Sequence, residues 1–206
     1  MDRAFLIGPR IALRAITLDD MPHLLAWFND RLVLEHLARQ MPMNPVAERD
    51  WIERISRDED HLVLLICLRD AGRPIGTIGL RNIRNHNRRA DLGIAIGERA
   101  CWAMGYGSEA TELMLDFAFN TLDLHRVELS VYASNARAIR CYQRLGFIHE
   151  GTLREARFAN GQREDILLYG LLAQEWRARP APGLAAPGLG GPPGGQPPAL
   201  PGGSPV

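Results

Sequence analysis

The sequence contains no lysine, few cysteines and no long apolar run. The balance of charge, the scattered cysteines and the lack of an apolar run each exclude a class of protein. All 24 basic residues are arginine, and they balance 24 acidic residues, so the formal net charge is zero. A neutral chain creates no field strong enough to attract bulk nucleic acid or an acidic membrane surface, and we expect neither as a partner. No stretch approaches the roughly 20 apolar residues that a membrane-spanning helix needs.

The three cysteines are too scattered for a disulfide framework or a metal site. Cys67, Cys101 and Cys141 are far apart, and none belongs to a C-x-x-C motif or a Cys/His cluster. We therefore predict no bound metal and no structural disulfide. Residues 1–10 carry three charges around a short apolar run, unlike a signal peptide, so we expect a cytoplasmic protein.

A change of composition near the end of the chain predicts a domain boundary. From residue 180 to residue 206, 17 of the 27 residues are proline or glycine, and none is charged or aromatic. Such a segment cannot bury enough apolar surface to offset the entropy lost on ordering. We predict one folded domain over residues 1–179 and a disordered tail over residues 180–206.

Hydrophobic periodicity predicts a mixed α/β sheet for the folded domain. Period-two alternation indicates strands, and apolar residues at helical spacing indicate helices. The predicted order is β-α-α-β-β-β-α-β-α-β-β, about seven strands and four helices, antiparallel at first and with βαβ units later. The strands are predicted at residues 10–16, 61–69, 74–83, 90–97 and 125–133 and in a hairpin around Asn160-Gly161. Helices are predicted after Thr17, Asn44, the glycines near residue 105, and Ser134.

A glycine turn precedes the third predicted helix. Residues 102–110 read Trp-Ala-Met-Gly-Tyr-Gly-Ser-Glu-Ala, and backbone N–H groups at the start of a helix suit a phosphate. The turn matches G-x-G-x-x-A, but residues 98–104 separate it from the preceding strand and no acidic residue closes the next strand, which excludes a dinucleotide fold. A Walker loop is excluded because Gly-Lys-Ser/Thr is missing. A structural turn and a pyrophosphate loop both remain open at this point.

A second motif distinguishes these interpretations. Asn135, Ala138, Tyr142, Gly146 and Phe147 follow the pattern N-x-x-A-x-x-x-Y-x-x-x-G-F. Together with the glycine turn, this pattern resembles the GNAT superfamily of acetyl-CoA-dependent N-acetyltransferases, and within it the chain is similar to the RimJ/RimL and polyamine-acetylating branch.

Three further segments carry the same resemblance. They are Ala-Asp-Leu-Gly at residues 90–93, the strand at residues 124–131, and an Asn-Gly…Asp…Tyr pattern over residues 160–169. The resemblance extends over about residues 10–176. It implies the GNAT fold, a mixed sheet whose two central strands splay apart around acetyl-CoA, and it implies acetyl-CoA as co-substrate.

The resemblance also implies which residues bind acetyl-CoA. Backbone groups of Ile94, Ala95 and Ile96 would pair with the pantetheine arm like an added strand. N–H groups in the glycine turn would bind the pyrophosphate; these residues are Met104, Gly105, Tyr106, Gly107 and Ser108. Asn135 would hold the pantetheine arm or the strand end, although asparagine there also suits a helix N-cap.

By the same resemblance, Tyr142 would donate a proton or hydrogen bond to the departing thiolate. Asn135 lies seven residues earlier, which places both side chains on one helical face. A tyrosine at this position could also simply pack in the core. Cys141 points about 100° away from Tyr142 around the helix, so a covalent acetyl-cysteine route is disfavoured and we expect a small buried side chain.

The base that deprotonates the amine is poorly defined by the sequence. Asp91, Glu98 and Glu128 lie on or beside the two central strands and are the candidates. Each could equally form a surface ion pair with the many arginines nearby. The Arg-rich loop at residues 81–89 could contact the CoA ribose phosphate or an RNA-bound substrate, or be a solvated surface.

The expected function is transfer of acetyl from acetyl-CoA to a primary amine. The resemblance favours the α-amine of a protein N-terminus, with a small amine (a polyamine, an amino acid or an aminoglycoside) as the alternative and a non-catalytic CoA-binding sensor as the rival class. Residues 29–44 and 158–163 are expected to contact the acceptor. Five acidic residues could line a polycation site: Glu35, Glu48, Asp58, Glu59 and Asp60. A homodimer is compatible with the sequence, which does not set the oligomeric state.

Overall fold

The computed structural model describes residues 4–37, 41–83 and 86–179. The predicted tail, residues 180–206, lies outside the described residues. Among the described residues, none of the helices is long and apolar enough to cross a membrane.

The strands of the described residues form one sheet with the order β1-β2-β3-β4-β5-β6-β8-β7. The strands are β1 (Ala4–Ile7), β2 (Ile11–Ala15), β3 (Leu62–Leu68), β4 (Pro74–Arg81), β5 (Arg89–Ile96), β6 (Arg126–Tyr132), β7 (Ile148–Ala159) and β8 (Gln162–Leu172). Neighbouring strands are antiparallel except β5 and β6, which are parallel. A parallel pair needs a crossover connection, and a helix supplies it here.

Six α-helices accompany the sheet in the described part of the chain. They are α1 (Met21–Trp27), α2 (Arg31–Leu34), α3 (Pro45–Ile55), α4 (Tyr106–Asp116), α5 (Ala136–Arg144) and α6 (Ala173–Arg177). The predicted caps are present, since the Asn44 side chain accepts from the Ala47 N–H at 2.9 Å and the Thr17 N–H donates to Asp20 at 2.9 Å. Helix α4 is the crossover between β5 and β6.

The mixed α/β architecture predicted from periodicity is confirmed, with small differences in the element count. The described residues contain eight strands where seven were expected and six α-helices where four were expected. The additional elements are β1, α2 and α6, and each has only four or five residues. Segments this short do not complete enough periods for the hydrophobic pattern to reveal them.

Helices cover both faces of the sheet around its centre. On one face, α4 contributes the fully buried Met114 and Leu115 to the main core, together with Phe119 just beyond the helix. On the other face, Trp27 of α1 and Ile52 of α3 pack against β3. Because helices cover the centre of the sheet on both faces, a gap between central strands opens between helices and not onto a solvated sheet face.

Candidate active site

The parallel strands β5 and β6 pair only over their first residues. The register ends with Asp91 opposite Glu128. Beyond that pair β5 separates from β6, whereas β6 stays paired with β8 as far as Tyr132. The splay predicted from the resemblance is therefore present, and it opens a cleft of about 700 Å³ between the two strands.

Alternation along β5 decides which backbone groups face this cleft. The Gly97 N–H donates to the Ile75 carbonyl of β4 at 2.9 Å. Because successive residues of a strand point their polar groups to opposite sides, Ile94 and Ile96 direct theirs away from β4 and toward the cleft. The N–H and C=O of Ala95 turn to β4 instead, so the cleft-facing backbone groups come from two of the three predicted residues.

Trp102 hydrogen-bonds to one of these backbone groups. Its indole N–H donates to the Ile96 carbonyl at 2.7 Å, and the Arg137 guanidinium lies 4.4 Å from its ring centroid. Trp102 thereby ties the end of β5 to the glycine turn and to α5. The polar groups of Ile94 and the N–H of Ile96 remain directed into the cleft.

The two glycines of the turn have different structural requirements. Gly105 has φ 83°, a left-handed conformation that L side chains rarely adopt, and it caps the N-terminus of α4. A Cβ at Gly107 would meet only Ile96 Cγ1 at 3.7 Å and Ile94 Cδ1 at 3.9 Å, which are ordinary contacts. The fold does not require glycine at position 107, where the missing side chain keeps the start of α4 open to the cleft.

Arg10, which the sequence analysis did not single out, holds the glycine turn in place. Its guanidinium donates to Glu109 at 2.8 Å and to the Met104 carbonyl at 2.9 Å. The backbone N–H groups of Arg10 and Ile11 donate to the same carboxylate at 2.7 and 3.1 Å. The Arg10 guanidinium also lies 4.8 Å from the Tyr106 ring centroid, so Tyr106 packs against Arg10. Arg10 and Glu109 are 99 positions apart in the sequence, so no local pattern predicts this contact.

Helix α5 places Asn135 and Tyr142 on the cleft. The Asn135 side chain accepts from the Ala138 N–H at 3.2 Å, so it caps α5 while also lining the cleft. Tyr142 is 8% exposed, and its ring meets Phe147 edge-on at 5.7 Å. Burial raises the pKa of Tyr142, so its hydroxyl stays protonated at neutral pH. No described residue hydrogen-bonds to this hydroxyl, which leaves it available to a ligand.

Cys141 lies on the cleft as well, and the expectation of a buried cysteine is wrong. The side chain is half-exposed, and its sulfur lies 3.0 Å from the Ser108 hydroxyl. The predicted 100° offset from Tyr142 turns Cys141 toward α4, where its side chain is partly buried at the edge of the main core. Ser108 thus joins the start of α4 to α5.

The three predicted carboxylates do not line the cleft. Glu128 accepts from Arg89 and from Arg126, both at 2.9 Å. Asp91 accepts from the Asn82 side chain. Glu98 pairs with an arginine of the β3–β4 turn at 3.0 Å. All three carboxylates are therefore engaged outside the cleft, and Asp91 is the one that shares a strand face with the cleft residue Gly93.

Among the described residues that line the cleft there is no aspartate or glutamate. The charged or titratable side chains among these lining residues are Arg81, Arg137, Arg144, His36, Cys101, Cys141, Tyr132 and Tyr142. None of the five acidic residues proposed for a polycation site is among them. Three of those five, Asp58, Glu59 and Asp60, line a separate surface depression beside α3. The charged side chains among the described residues of the lining are therefore all cationic.

An apolar wall closes the cleft on the side of α1 and α2. We call it the α1–α2 wall, and its residues are Phe28, Leu32, Val33, His36 and Leu37. The prediction that residues 29–44 border the site therefore holds for part of that segment, of which residues 38–40 lie outside the described residues. The residues 158–163 of the β7–β8 hairpin do not line the cleft.

Arg157 connects this wall to the opposite side of the cleft. Its guanidinium lies 3.8 Å from the centroid of the Tyr132 ring and donates to the Glu35 carbonyl.

Of the predicted Arg-rich loop, Arg81 lines the cleft, whereas Arg84 lies outside the described residues. Sequence periodicity could not find the wall, because α2 is too short to display a period.

His36 is the titratable member of the α1–α2 wall. The residue is half-buried, and its Nδ1 atom is buried with no hydrogen-bond partner among the described residues. Burial lowers the pKa of His36 below the ordinary histidine value, so the imidazole is neutral at neutral pH. No described group of three or more His, Cys, Asp or Glu side chains is arranged to hold a metal ion.

A sheet split between parallel strands, a helix N-terminus at one end and a protonated tyrosine beside the gap are the parts of an acyl-CoA-dependent transferase. The comparison with protein families agrees. The model of the acetyltransferase (GNAT) domain matches residues 10–148, and the chain belongs to this family of acetyl-CoA-dependent N-acetyltransferases.

Individual relatives and solved structures agree with this family. An uncharacterized N-acetyltransferase of Bacillus licheniformis, p20, is 31% identical over 171 residues, which are 81% of this chain and 95% of that protein. The spermidine N(1)-acetyltransferase of Vibrio cholerae is 25% identical over 176 residues, or 84% of this chain and 99% of that one. A crystal structure of spermidine N-acetyltransferase from Vibrio cholerae with CoA and spermine superposes with a TM-score of 0.77 at 22% identity, over 82% and 99% of the two chains.

Proposed function

We propose that this enzyme acetylates the α-amine of a protein or peptide N-terminus, using acetyl-CoA as the acetyl donor. The observation that carries the choice of acceptor is the lining of the cleft. It combines an apolar wall with arginines and, among the described residues, no carboxylate.

The proposed position of acetyl-CoA follows from the polar groups that face the cleft. The pantetheine arm pairs with the backbone of Ile94 and Ile96 as an added strand would. The pyrophosphate accepts hydrogen bonds from N–H groups at the start of α4, beyond Gly105, where the helix dipole favours negative charge. Arg137 and Arg144 supply the positive charge that phosphates need.

The proposed chemistry is direct attack of the amine on the thioester. Binding the thioester beside Tyr142 supplies an O–H donor for the sulfur, and burial keeps that O–H protonated until the C–S bond breaks. Cys141 takes no part as a nucleophile, because its sulfur faces Ser108 at the start of α4 and not Tyr142.

Electrostatics argue for a peptide α-amine over a polyamine. A polyamine brings several ammonium groups, and each must be neutralised when it leaves water. The described lining offers no carboxylate for this purpose, and its arginines repel a polycation. A peptide N-terminus brings a single ammonium group and an adjoining side chain that can pack against Phe28, Leu32 and Val33.

The alternative acceptor, a small polyamine, has its own support. Both the similar sequence and the similar crystal structure from Vibrio cholerae are named spermidine acetyltransferases. Their names describe those proteins, and the acceptor of a family member depends on its own cleft residues.

An acceptor panel with detection of free thiol tests the proposal. The panel comprises a peptide with a free α-amine, the same peptide with a blocked N-terminus, spermidine, and a free amino acid. We expect the free peptide to exceed spermidine at least about tenfold in kcat/KM, a difference of about 1.4 kcal/mol. The blocked peptide is the matched control and should release no thiol.

Two results would contradict the proposal in different ways. A kcat/KM for spermidine above that of the peptide would make the enzyme a polyamine acetyltransferase. Tight acetyl-CoA binding without thiol release by any amine would favour the sensor interpretation.

A further inference from the structure

We infer that His36 is the catalytic base that takes the proton from the acceptor ammonium group. The inference deepens the proposed function and rests on it. It assigns to the α1–α2 wall a chemical task that neither the glycine turn nor Tyr142 performs.

The position of His36 is the first argument. His36 lines the same cleft as Tyr142, Ser130 and Gly93, but it belongs to the α1–α2 wall and not to β5, β6 or α5. A base must approach the acceptor nitrogen from the acceptor side, because Tyr142 and the β5 backbone occupy the side of the acetyl donor. Among the described residues of the lining, His36 is the one side chain whose neutral form can accept a proton at neutral pH.

The hydrogen bonding of His36 is the second argument. Its Nδ1 atom is buried and has no partner among the described residues. Buried polar atoms without partners are rare in native proteins, and a catalytic role is one explanation for them. Because Nδ1 is buried, a bound acceptor would meet the other ring nitrogen, Nε2, which would take its proton.

Burial is the main reason why His36 is neutral. It lowers the pKa of His36, and Arg137 of α5 and Arg157 of β7 lower it further, whereas Glu35 beside it and Glu164 of β8 raise it. The Glu164 carboxylate is itself paired with Arg157. A neutral imidazole is the form that a base requires before the reaction begins.

The competing carboxylates are poorly placed for this task. Glu128 is bound by two arginines and Asp91 by Asn82. Neither lines the cleft among the described residues.

The proposed step conserves protons and electrons. His36 takes one proton from the ammonium nitrogen, whose freed electron pair forms the bond to the thioester carbon. When the C–S bond breaks, its electron pair leaves on sulfur, and the sulfur takes the proton of the Tyr142 hydroxyl. The nitrogen loses its second proton to solvent, and solvent returns one to Tyr142. His36 then releases its proton, so the net reaction yields the amide, CoA thiol and one proton.

The test is the pH profile of His36→Gln, with His125→Gln as the matched control. His125 is exposed at the start of β6, outside the lining of the cleft. We expect the His36→Gln variant to lose at least about tenfold in kcat/KM at pH 6.5 with the peptide acceptor. The loss should shrink above about pH 8, where an α-amine deprotonates without help. The control should follow the wild-type profile throughout.

Two further measurements separate a base from a wall residue. Free imidazole should restore activity to His36→Ala, and calorimetry should give acetyl-CoA affinity within twofold of wild type for both variants. If the variants fold poorly, an NMR titration of the wild-type imidazole decides instead, because its pKa must coincide with the acidic limb of kcat/KM.

The outcomes that overturn the inference differ from those that overturn the proposed function. A His36→Gln variant with a wild-type profile, a loss that is equal at every pH, or an imidazole pKa far from the kinetic limb would remove His36 from the chemistry while leaving the enzyme an N-acetyltransferase. If the wild-type enzyme released no thiol with any amine, the proposed function would fail and the inference with it.

Discussion

Gly105 and Gly107 stand two residues apart in one turn, and the structure makes different demands on them. The left-handed backbone at Gly105 penalises any side chain. The backbone at Gly107 does not, and a Cβ there has room. The fold therefore requires the first glycine, while the second leaves the start of α4 open for the pyrophosphate proposed to bind there.

Alanine substitutions should separate these two roles. Gly105→Ala should cost about 1 kcal/mol of unfolding free energy, because a left-handed L residue is strained. Gly107→Ala should leave stability unchanged or slightly higher, since alanine favours a helix, yet weaken acetyl-CoA binding at least about tenfold. Gly107→Val should abolish binding. Thermal unfolding and calorimetric titration measure the two effects, and wild-type affinity in Gly107→Val would make the turn purely architectural.

Tyr142 combines a buried ring with a hydroxyl that no described residue hydrogen-bonds, which is the arrangement expected of the proposed proton donor. Tyr142→Phe should lower kcat by about 10²-fold. Its acetyl-CoA affinity should stay close to wild type. Stability should also be preserved, because no described residue loses a hydrogen bond. A thiol-release assay with saturating acetyl-CoA measures kcat, and an unaltered rate would exclude Tyr142 from the reaction.

At the scale of elements, the glycine turn depends on a strand that is distant in sequence. Arg10 at the start of β2 binds both Glu109 in the first turn of α4 and the Met104 carbonyl. Charge-assisted bonds of this kind contribute about 1.5–3 kcal/mol each, and Arg10 is half exposed, which reduces their effect through solvent screening. The contact fixes the position of the α4 N-terminus relative to the sheet.

Breaking this contact should loosen the turn without touching the reacting atoms. Arg10→Met should raise the KM for acetyl-CoA about tenfold, or 1.4 kcal/mol, and leave kcat nearly unchanged. Arg73→Met is the control, because Arg73 has similar exposure, 44% against 50%, and pairs with Glu98 outside the cleft. Steady-state kinetics at varied acetyl-CoA provide the comparison. An equal change in both variants would argue against a specific role for Arg10.

Local sequence patterns predicted the helices and strands well, but they could not predict the long-range contacts. The caps at Asn44 and Thr17 and the helix after Asn135 follow from a few neighbouring residues. The direction of the Ala95 backbone depends on its register with β4, and the exposure of Cys141 depends on how α5 packs on α4. Neither the register nor the packing can be predicted from a single segment of the sequence.

The candidate site divides in the same way. The glycine turn and Tyr142 belong to motifs of adjacent residues, so the sequence could predict them as candidates, and both line the cleft. His36 and Arg10 have no motif of their own, because what distinguishes them is the wall or the turn that they contact in the folded chain. Asp91 and Glu128 were candidate bases because they are charged residues on central strands. In the structure, both carboxylates accept hydrogen bonds from side chains outside the cleft.

At the scale of the whole molecule, all the catalytic and binding residues considered above lie between Arg10 and Glu164. The proline- and glycine-rich segment after residue 179 contributes none of them. A chain ending at residue 179 should therefore keep the acetylation rate and the midpoint of thermal unfolding of the full chain within experimental error. A loss of activity or several degrees of stability on truncation would give that segment a structural or functional role.

The central claim is that the splayed strands β5 and β6 bind acetyl-CoA through the β5 backbone and the start of α4. A crystal structure of the chain with CoA tests this claim most directly. The account predicts the pantetheine arm hydrogen-bonded to Ile94 and Ile96, the pyrophosphate at residues 105–108, and the sulfur beside the Tyr142 hydroxyl. CoA bound at any other surface, or a closed gap between the two strands, would contradict it.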